Sequence, residues 1–335
     1  MRVKAVDVAK QLNISKATVS LALNNKPGVS PQTREAVYQC IRELEESSEK
    51  EEPVSQKQMI KIIMVNKGFK NIVDGEMDLW TDALAVYDRE SSRMGYTLGI
   101  TYITMKPEDI KRTISDVNSQ DVAGVVLYAT EMDAEEFEAF REIKKPMIVY
   151  DNDFTMDYHC VAIDNVAGAR NAVDYLVSRG CKRIVYLRNE VDIYNFSQRR
   201  AGYRAGLRKN NLDLEKNPII TAGCAVNDVY LNVRNYLESN EMPDAFLMEN
   251  YQVSIGVMRA IRELRISVPR DLSLVGIDEL PRYLLGDFDL TTVKVEHAER
   301  ARAAMMFLER EIKSDIAGKF KVYSNCELVL GNSVR

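Results

Sequence analysis

Two short helical patterns that almost touch constrain this chain more than any other feature. Between Val3 and Val37 it reads VKAVDVAKQLNISKATVSLALNNKPGVSPQTREAV, which divides into three helices with tight connections. Val8 and Leu12 are four apart and share one helix face. Asn13 falls where the chain must turn sharply, and asparagine tolerates left-handed backbone better than most residues. Ser15 can cap the second helix by accepting a backbone N–H. Val19 and Leu23, again four apart, are expected to point inward, with Lys16, Ala17, Ser20 and Leu21 on or beside the outer face. Ser30 before Pro31 starts the third helix, whose inward stripe is Val37, Ile41 and Leu44. Two helices at this spacing form a helix-turn-helix, which predicts a second helix laid in the major groove of DNA. The alternative is a small helical subdomain that binds no DNA.

Charge is distributed as that reading requires. The whole chain carries a net charge of −5, unfavourable for contact with phosphate. Up to Leu44, however, Arg2, Lys4, Lys10, Lys16, Lys26, Arg34 and Arg42 outnumber Asp7, Glu35 and Glu43. A basic headpiece on an acidic body is expected if only the headpiece meets DNA. With 335 residues and 46% apolar composition, the chain can build a headpiece and a body of two subdomains.

The segment closely resembles the headpiece of the lactose/galactose repressor family. The shared residues are Asp7-Val8-Ala9, Ser15, Ala17-Thr18-Val19-Ser20, Leu23-Asn24, Val29-Ser30 and Thr33-Arg34. The resemblance implies a dimeric, effector-controlled transcriptional regulator, a repressor, bound to a pseudo-palindromic operator. It implies DNA contacts from Lys16, Ala17, Thr18, Ser20, Leu21, Asn24, Ser30, Thr33 and Arg34, with base reading at Lys16, Ala17 and Leu21. Most members carry Arg at the position of Leu21. Leucine cannot make a bidentate contact to guanine but can touch a thymine methyl, so the family's usual operator sequence does not carry over.

The domains expected are a helix-turn-helix domain over 1–46, an acidic linker over 47–58 and a two-lobed body over 59–335. From Glu45 to Gln58 the chain reads EESSEKEEPVSQKQ. Most family members carry a Tyr-x-Pro-Asn segment here, running into Ala-Arg and a Leu that wedges the minor groove. This chain has none of these after Leu44, and its glutamates would be repelled by phosphate. A solvated tether is expected instead.

Beyond Met59 apolar runs alternate with helical patterns. Strands are expected at Ile60–Val65, Tyr96–Ile103, Gly124–Leu127, Met147–Val149, Arg183–Leu187, Ala245–Met248 and Leu274–Ile277. Helices are expected at Met77–Met94 (ended by Gly95), Asp164–Arg179, Gln198–Asn210 and Val253–Leu264. Strict alternation predicts an α/β body of parallel sheets with helices on both faces, in two lobes around a cleft. The family resemblance continues here more weakly, through Gly95-Tyr96, Asp164-Asn165, Gly202-Tyr203, Asp271-Leu272-Ser273, Asp278 and Leu290-Thr291-Thr292-Val293. It implies a body similar to periplasmic sugar-binding proteins. The first lobe would run from Met59 to about Val161, with a return near Thr292–Phe320, and the second would hold the rest.

By that resemblance the effector contacts are Trp80, Tyr128, Thr130, Asp151, Arg199, Asn250 and Asp278. Trp80, the chain's one tryptophan, could stack on a sugar or a planar base. Asp151 and Asp278 each follow a strand, where a carboxylate can fix vicinal hydroxyls or base N–H groups. Arg199 has Arg200 beside it, and the register between them stays open. The family's usual Asn-Asp is Asn250-Tyr251 here. The effector implied is a sugar or related metabolite. A body that serves mainly for dimerisation and protein interaction, with a degenerate cleft, is the alternative.

No enzyme is expected. The chain has two histidines, His159 and His297, without metal-ligand spacing, and lacks a nucleophile elbow, a P-loop and a Gly-x-Gly-x-x-Gly turn. Its five cysteines are scattered, so neither metal, cofactor nor disulfide is expected. With no membrane-length apolar run and no signal peptide, the chain should stay in the cytoplasm. No leucine-heptad tail precedes Arg335, so a dimer rather than a tetramer is the default.

Overall fold

The computed structural model describes residues 5–24, 26–50, 58–68, 81–286 and 288–335. The chain forms two compact units, Met1–Lys57 and Gln58–Arg335. Trp80 lies outside the described residues, as do positions 51–57 of the expected linker.

Among the described residues the first unit forms three helices: α1 (Ala5–Gln11), α2 (Lys16–Leu23) and α3 (Pro31–Lys50). Val8, Ala9, Val19, Ala22, Val37 and Cys40 fill its core, with Leu12, Ile41 and Leu44 packed against it. One expectation is corrected. Leu23 is 39% exposed, and Ala22 takes the inward seat at 0%. Leu23 is the last residue of α2, and the inward pair on this short helix is Val19 with Ala22, three apart rather than four. A second correction concerns the linker, because α3 continues to Lys50, inside the span 47–58. Glutamate and lysine are good helix formers, and an established helix extends readily until a breaker intervenes. No glycine or proline precedes Pro53 in this stretch of the chain.

The second unit contains two six-stranded sheets. The first lobe carries β1 (Met59–Val65), α4 (Thr81–Arg93), β2 (Thr97–Ile103), α5 (Pro107–Val117), β3 (Val122–Tyr128), α6 (Ala134–Phe137), β4 (Met147–Tyr150) and β5 (His159–Ile163). The chain then forms α7 (Asn165–Ser178), β6 (Ile184–Asn189), α8 (Tyr194–Lys209), β7 (Ile219–Gly223), α9 (Val226–Ser239), β8 (Ala245–Met248), α10 (Tyr251–Glu263), β9 (Ser273–Ile277), α11 (Arg282–Leu285) and β10 (Thr291–Lys294). It closes with α12 (His297–Ile312), β11 (Lys321–Ser324) and β12 (Glu327–Val329).

The strand orders are β2-β1-β3-β4-β5-β11 and β7-β6-β8-β9-β10-β12, the same path traced twice. Pairing is parallel except between β10 and β12. Both faces of each sheet are covered, so the central strand β1 is mostly apolar, with Lys61 its one charged residue: Ile60, Ile62, Ile63 and Val65 are each 0% exposed. Left-handed glycines stop α4 at Gly95 (φ 87°) and α7 at Gly180 (φ 88°), where a side chain would be strained.

Among the described residues the chain crosses between the lobes three times: after Ile163, between Lys294 and His297, and between Ser324 and Glu327. The return therefore begins after β10, which pairs with β9 in the second lobe, and runs through β11 to Ser324. α12 packs on β3, β4 and β5.

Candidate functional site

In the helix-turn-helix, Asn13 adopts the left-handed backbone expected (φ 50°). Ser15 caps α2, its hydroxyl accepting from the Thr18 N–H at 3.1 Å. Such a cap contributes roughly 1 kcal/mol. With Val19 and Ala22 inward, α2 leaves Lys16, Ala17, Ser20 and Asn24 exposed and Leu21 half-buried. Thr18 is turned partly inward, its hydroxyl 2.9 Å from that of Ser15. Asn24 Nδ2 donates to the Ser20 carbonyl at 2.8 Å and fastens the end of α2. The same device recurs at α3, where Ser30 accepts from the Thr33 N–H at 3.1 Å. Arg34 Nη2 donates to the Lys26 carbonyl at 3.1 Å and ties down the connection. Thus Lys16, Ala17, Ser20 and Leu21 form an available face, while Thr18, Asn24, Ser30, Thr33 and Arg34 also build the scaffold that presents it.

In the second unit a cavity of about 60 Å³ lies between the lobes. It is lined by Thr130, Asp151, Ile163, Ile193, Asn195, Phe196, Arg199, Asn250, Tyr251, Asp278 and His297. A larger groove, about 790 Å³, follows Asn66–Gly68 and Tyr102–Pro107, but its charged lining among the described residues is only Lys67 and Lys106. The smaller cavity is where polar groups converge.

That convergence comes from the doubled topology. Asp151 directly follows β4 and Asp278 directly follows β9, equivalent strands of the two sheets. Both aspartates have φ 71°, and each N–H still bonds the neighbouring strand, Asp151 to the Val161 carbonyl and Asp278 to that of Val293. Aspartate is one of the few side chains that accept this backbone. Thr130 and Asn250 each lie two residues beyond the next strand, β3 and β8.

Each aspartate holds a buried arginine from its own lobe. Arg300, on α12 and 1% exposed, ion-pairs with Asp151 and stands over the Tyr150 ring at 4.4 Å. Thr130 Oγ1 donates to Asp151 at 2.7 Å. Burial alone would raise the Asp151 pKa, but Arg300 and the Thr130 hydroxyl hold it below the ordinary carboxylate value. Arg199, on α8, forks onto Asp278 through Nη1 and Nη2, both at 3.2 Å. It also donates to Asn165 Oδ1 at 2.9 Å and to the Glu249 carbonyl at 2.6 Å. The register is thereby settled. Arg199 faces the cavity, and Arg200 pairs with Glu249 and Asp192. His297 opens α12 on the second crossing, and burial together with Arg300 pushes its pKa down, so the imidazole is neutral at pH 7.

Five of the seven expected effector residues meet at this cavity: Thr130, Asp151, Arg199, Asn250 and Asp278. Asn250 divides its side chain between the cavity and capping α10 through the Val253 N–H at 3.1 Å. Tyr128 does not reach it and stands corrected. It is 0% exposed, in a cluster with Tyr87 and Tyr150, and its hydroxyl donates to that of Tyr87 at 3.0 Å. Tyr128 ends β3 with its ring on the core face, and the chain reaches the cavity only two residues later. Tyr251, the departure from the family's usual Asn-Asp, also lines the cavity, whereas Arg300, His297, Asn195 and Phe196 are not among the expected contacts. Asn195 and Arg199 are one helical turn apart on α8, a spacing that could have indicated both.

The comparisons agree with this architecture. The profile of the lacI family of bacterial regulatory proteins matches residues 6–45, and that of the periplasmic binding protein-like domain matches residues 173–334. A ribose operon repressor from Halalkalibacterium halodurans is 26% identical over 333 residues, spanning 98% of this chain and 96% of the relative. A structure of the transcriptional regulator CelR in complex with cellobiose superposes with a TM-score of 0.71 at 20% identity, covering 99% of this chain and 100% of that one. The lac repressor dimer bound to operator and the anti-inducer ONPF gives a TM-score of 0.70, also at 20% identity, covering 99% of each chain.

Proposed function

The chain belongs to the lacI family of bacterial regulatory proteins, and from that premise we propose how it works as a DNA-binding transcriptional repressor. The α2 face of Lys16, Ala17, Ser20 and Leu21 enters the major groove of an operator half-site. A homodimer places two such faces on a pseudo-palindrome. A small polyhydroxylated metabolite, a sugar, binds at Asp151 and Asp278 and alters operator affinity. The protein acts in the cytoplasm; among the described residues no helix is long and apolar enough to cross a membrane.

One observation carries the reading: two carboxylates, one from each lobe, converge on a single cavity. Arg300 and the Thr130 hydroxyl hold Asp151 below the ordinary carboxylate value, and Arg199 fixes Asp278 through a forked pair, so the remaining lone pairs of both can accept hydroxyl donors. A ligand that bonds both lobes at once acts on their relative position, which is how differential affinity becomes control. The present volume holds a few waters. Small-molecule sites are roughly 300–1,000 Å³, so the ligand must open the cleft.

A thermal-shift screen of sugars and nucleosides tests the proposal, followed by fluorescence anisotropy of operator DNA with each hit. A sugar that raises the melting temperature by mass action and changes operator affinity supports it. Silence across the screen favours a body that only dimerises or binds another protein. That second reading draws support from the small cavity and from carboxylates already engaged by arginine.

A further inference from the structure

Glu249 is a carboxylic acid with no exposed surface, placed at the end of β8 immediately before the cavity-lining Asn250. Burying a carboxylate is costly unless donors surround it, and here three converge. The Asn189 N–H donates to Oε2 at 2.6 Å, while Tyr186 Oη (3.1 Å) and Arg200 Nη1 (3.0 Å) donate to Oε1. These donors come from β6 and α8, and between them runs the turn Asn189–Ile193. That turn delivers Ile193, Asn195 and Phe196 to the cavity. It is braced further by Asn189 Oδ1, which accepts from the Val191 N–H at 2.9 Å, and by Arg200, which pairs with Asp192. On its other side the backbone carbonyl of Glu249 accepts from Arg199, the arginine that forks onto Asp278.

One residue therefore holds two parts of the cleft wall, the turn through its side chain and Arg199 through its carbonyl. We propose that Glu249 is a positioning residue for the cleft, and that protonation of its interior carboxyl group releases the Asn189–Phe196 wall and weakens ligand binding. This rests on the reading of the cleft as a ligand site.

The chemistry of the donors gives the direction. The Asn189 N–H and the Arg200 guanidinium can only donate, and the Tyr186 hydroxyl donates as well, so the arrangement fits the ionised form. A proton on Oε2 faces the Asn189 N–H, one on Oε1 forces the Tyr186 hydroxyl to turn from donor to acceptor, and Arg200 loses one of its two carboxylate partners. The charged groups nearest to Glu249 are Arg200 and Arg199, both on α8, and the nearest titratable hydroxyl is that of Tyr186 on β6. Burial raises the Glu249 pKa to about 7, even against Arg200, the Asn189 N–H, Tyr186 and Arg199, all of which lower it. Protonation is then a neutral-pH event. If only the ionised form has a competent wall, the apparent Kd scales inversely with its population and rises about tenfold from pH 8 to pH 6.

The test uses the full chain and two readouts. Hydrogen exchange of the 189–196 peptide, corrected for intrinsic rates, is measured between pH 6 and pH 8 without ligand, in the wild type and in Glu249→Gln. Loss of about tenfold in wild-type protection toward pH 6, with a flat and weaker profile in Glu249→Gln, supports the proposal. Protection that does not change with pH in the wild type overturns it, and that outcome stands even if the variant does not fold. Calorimetric titration with D-ribose as the probe over the same range should show the tenfold rise in Kd in the wild type and none in the variant. A ribose affinity that is flat with pH overturns the proposal. Absence of ribose binding at every pH counts against ribose as the sugar and leaves the exchange result to decide Glu249.

Discussion

Replacing Asp278 with alanine separates a ligand contact from a structural one. The structure requires it to be both. Removing the carboxylate leaves Arg199, 4% exposed, as a buried cation without its counter-ion. Breaking a buried ion pair by deleting one partner costs about 3–5 kcal/mol. Arg199 keeps two acceptors, Asn165 Oδ1 and the Glu249 carbonyl, and the Asp278 side chain is 13% exposed, so water can fill part of its place. The cost should therefore fall to about 2–3 kcal/mol. The unit Gln58–Arg335 unfolds with an entropy of roughly 0.6 kcal/mol per kelvin, from about 2.1 cal/mol/K per residue. Differential scanning calorimetry should then show a drop in Tm of about 4 °C, with the folded baseline intact and the ligand-dependent shift lost. The double variant Arg199→Met/Asp278→Leu removes both charges and should recover much of the stability while still failing to bind ligand. An alanine variant that melts within about 1 °C of the wild type would refute the reasoning. So would single costs that simply add in the double variant, since either result means that the pair does not hold the fold.

Four further outcomes are expected. Leu21→Arg should change the base preferred at one operator position more than overall affinity, read by selection from a random DNA library; an unchanged consensus removes Leu21 from the reading face. Gly202→Ala would press a Cβ into the Val166 carbonyl oxygen where α7 and α8 pack, so its urea midpoint should fall by the equivalent of about 1–3 kcal/mol. Asp151 has a depressed folded pKa, so its contribution is present above the unfolded value of about 3.9 and is lost as pH falls below that; Asp151→Asn should flatten the dependence of Tm on pH between about 5 and 3. A circular-permutation assay on the operator should show little bending, because no basic, apolar-tipped hinge sequence lies between Leu44 and Met59; a large bend centred between the half-sites contradicts that.

Local chemistry made much of this structure readable in advance. Asn13, Ser15 and Ser30 each perform a task that their own side chains dictate, so the turn and the two caps follow from composition alone. The strand Ala245–Met248 emerged with its boundaries intact because four buried apolar residues sit between polar neighbours. Leu23 departs from its spacing because a helical period of 3.6 permits inward neighbours three or four apart, and here the pair is Val19 and Ala22. Tyr128 misled because a strand's end does not reveal which face its last side chain takes. The choice between Arg199 and Arg200 needed Asp278 and Glu249, which are far away in sequence and reach them only through the fold. Arg300 gave no local sign, since its partner Asp151 is 149 residues away.

The threefold crossing has a consequence for synthesis. The first lobe lacks its cover until α12 supplies Ala301, Ala304, Met305, Phe307 and Leu308 to its core and β11 pairs with β5. A ribosome adding about 5–20 residues per second leaves β5 waiting roughly 10–30 s for that cover. All the helices between β6 and β10 emerge in that interval, so the lobe encoded second can close first. The lobe encoded first meanwhile presents an apolar sheet face to chaperones. A nonsense codon just before His297 would accordingly unfold the half of the body that had already been translated.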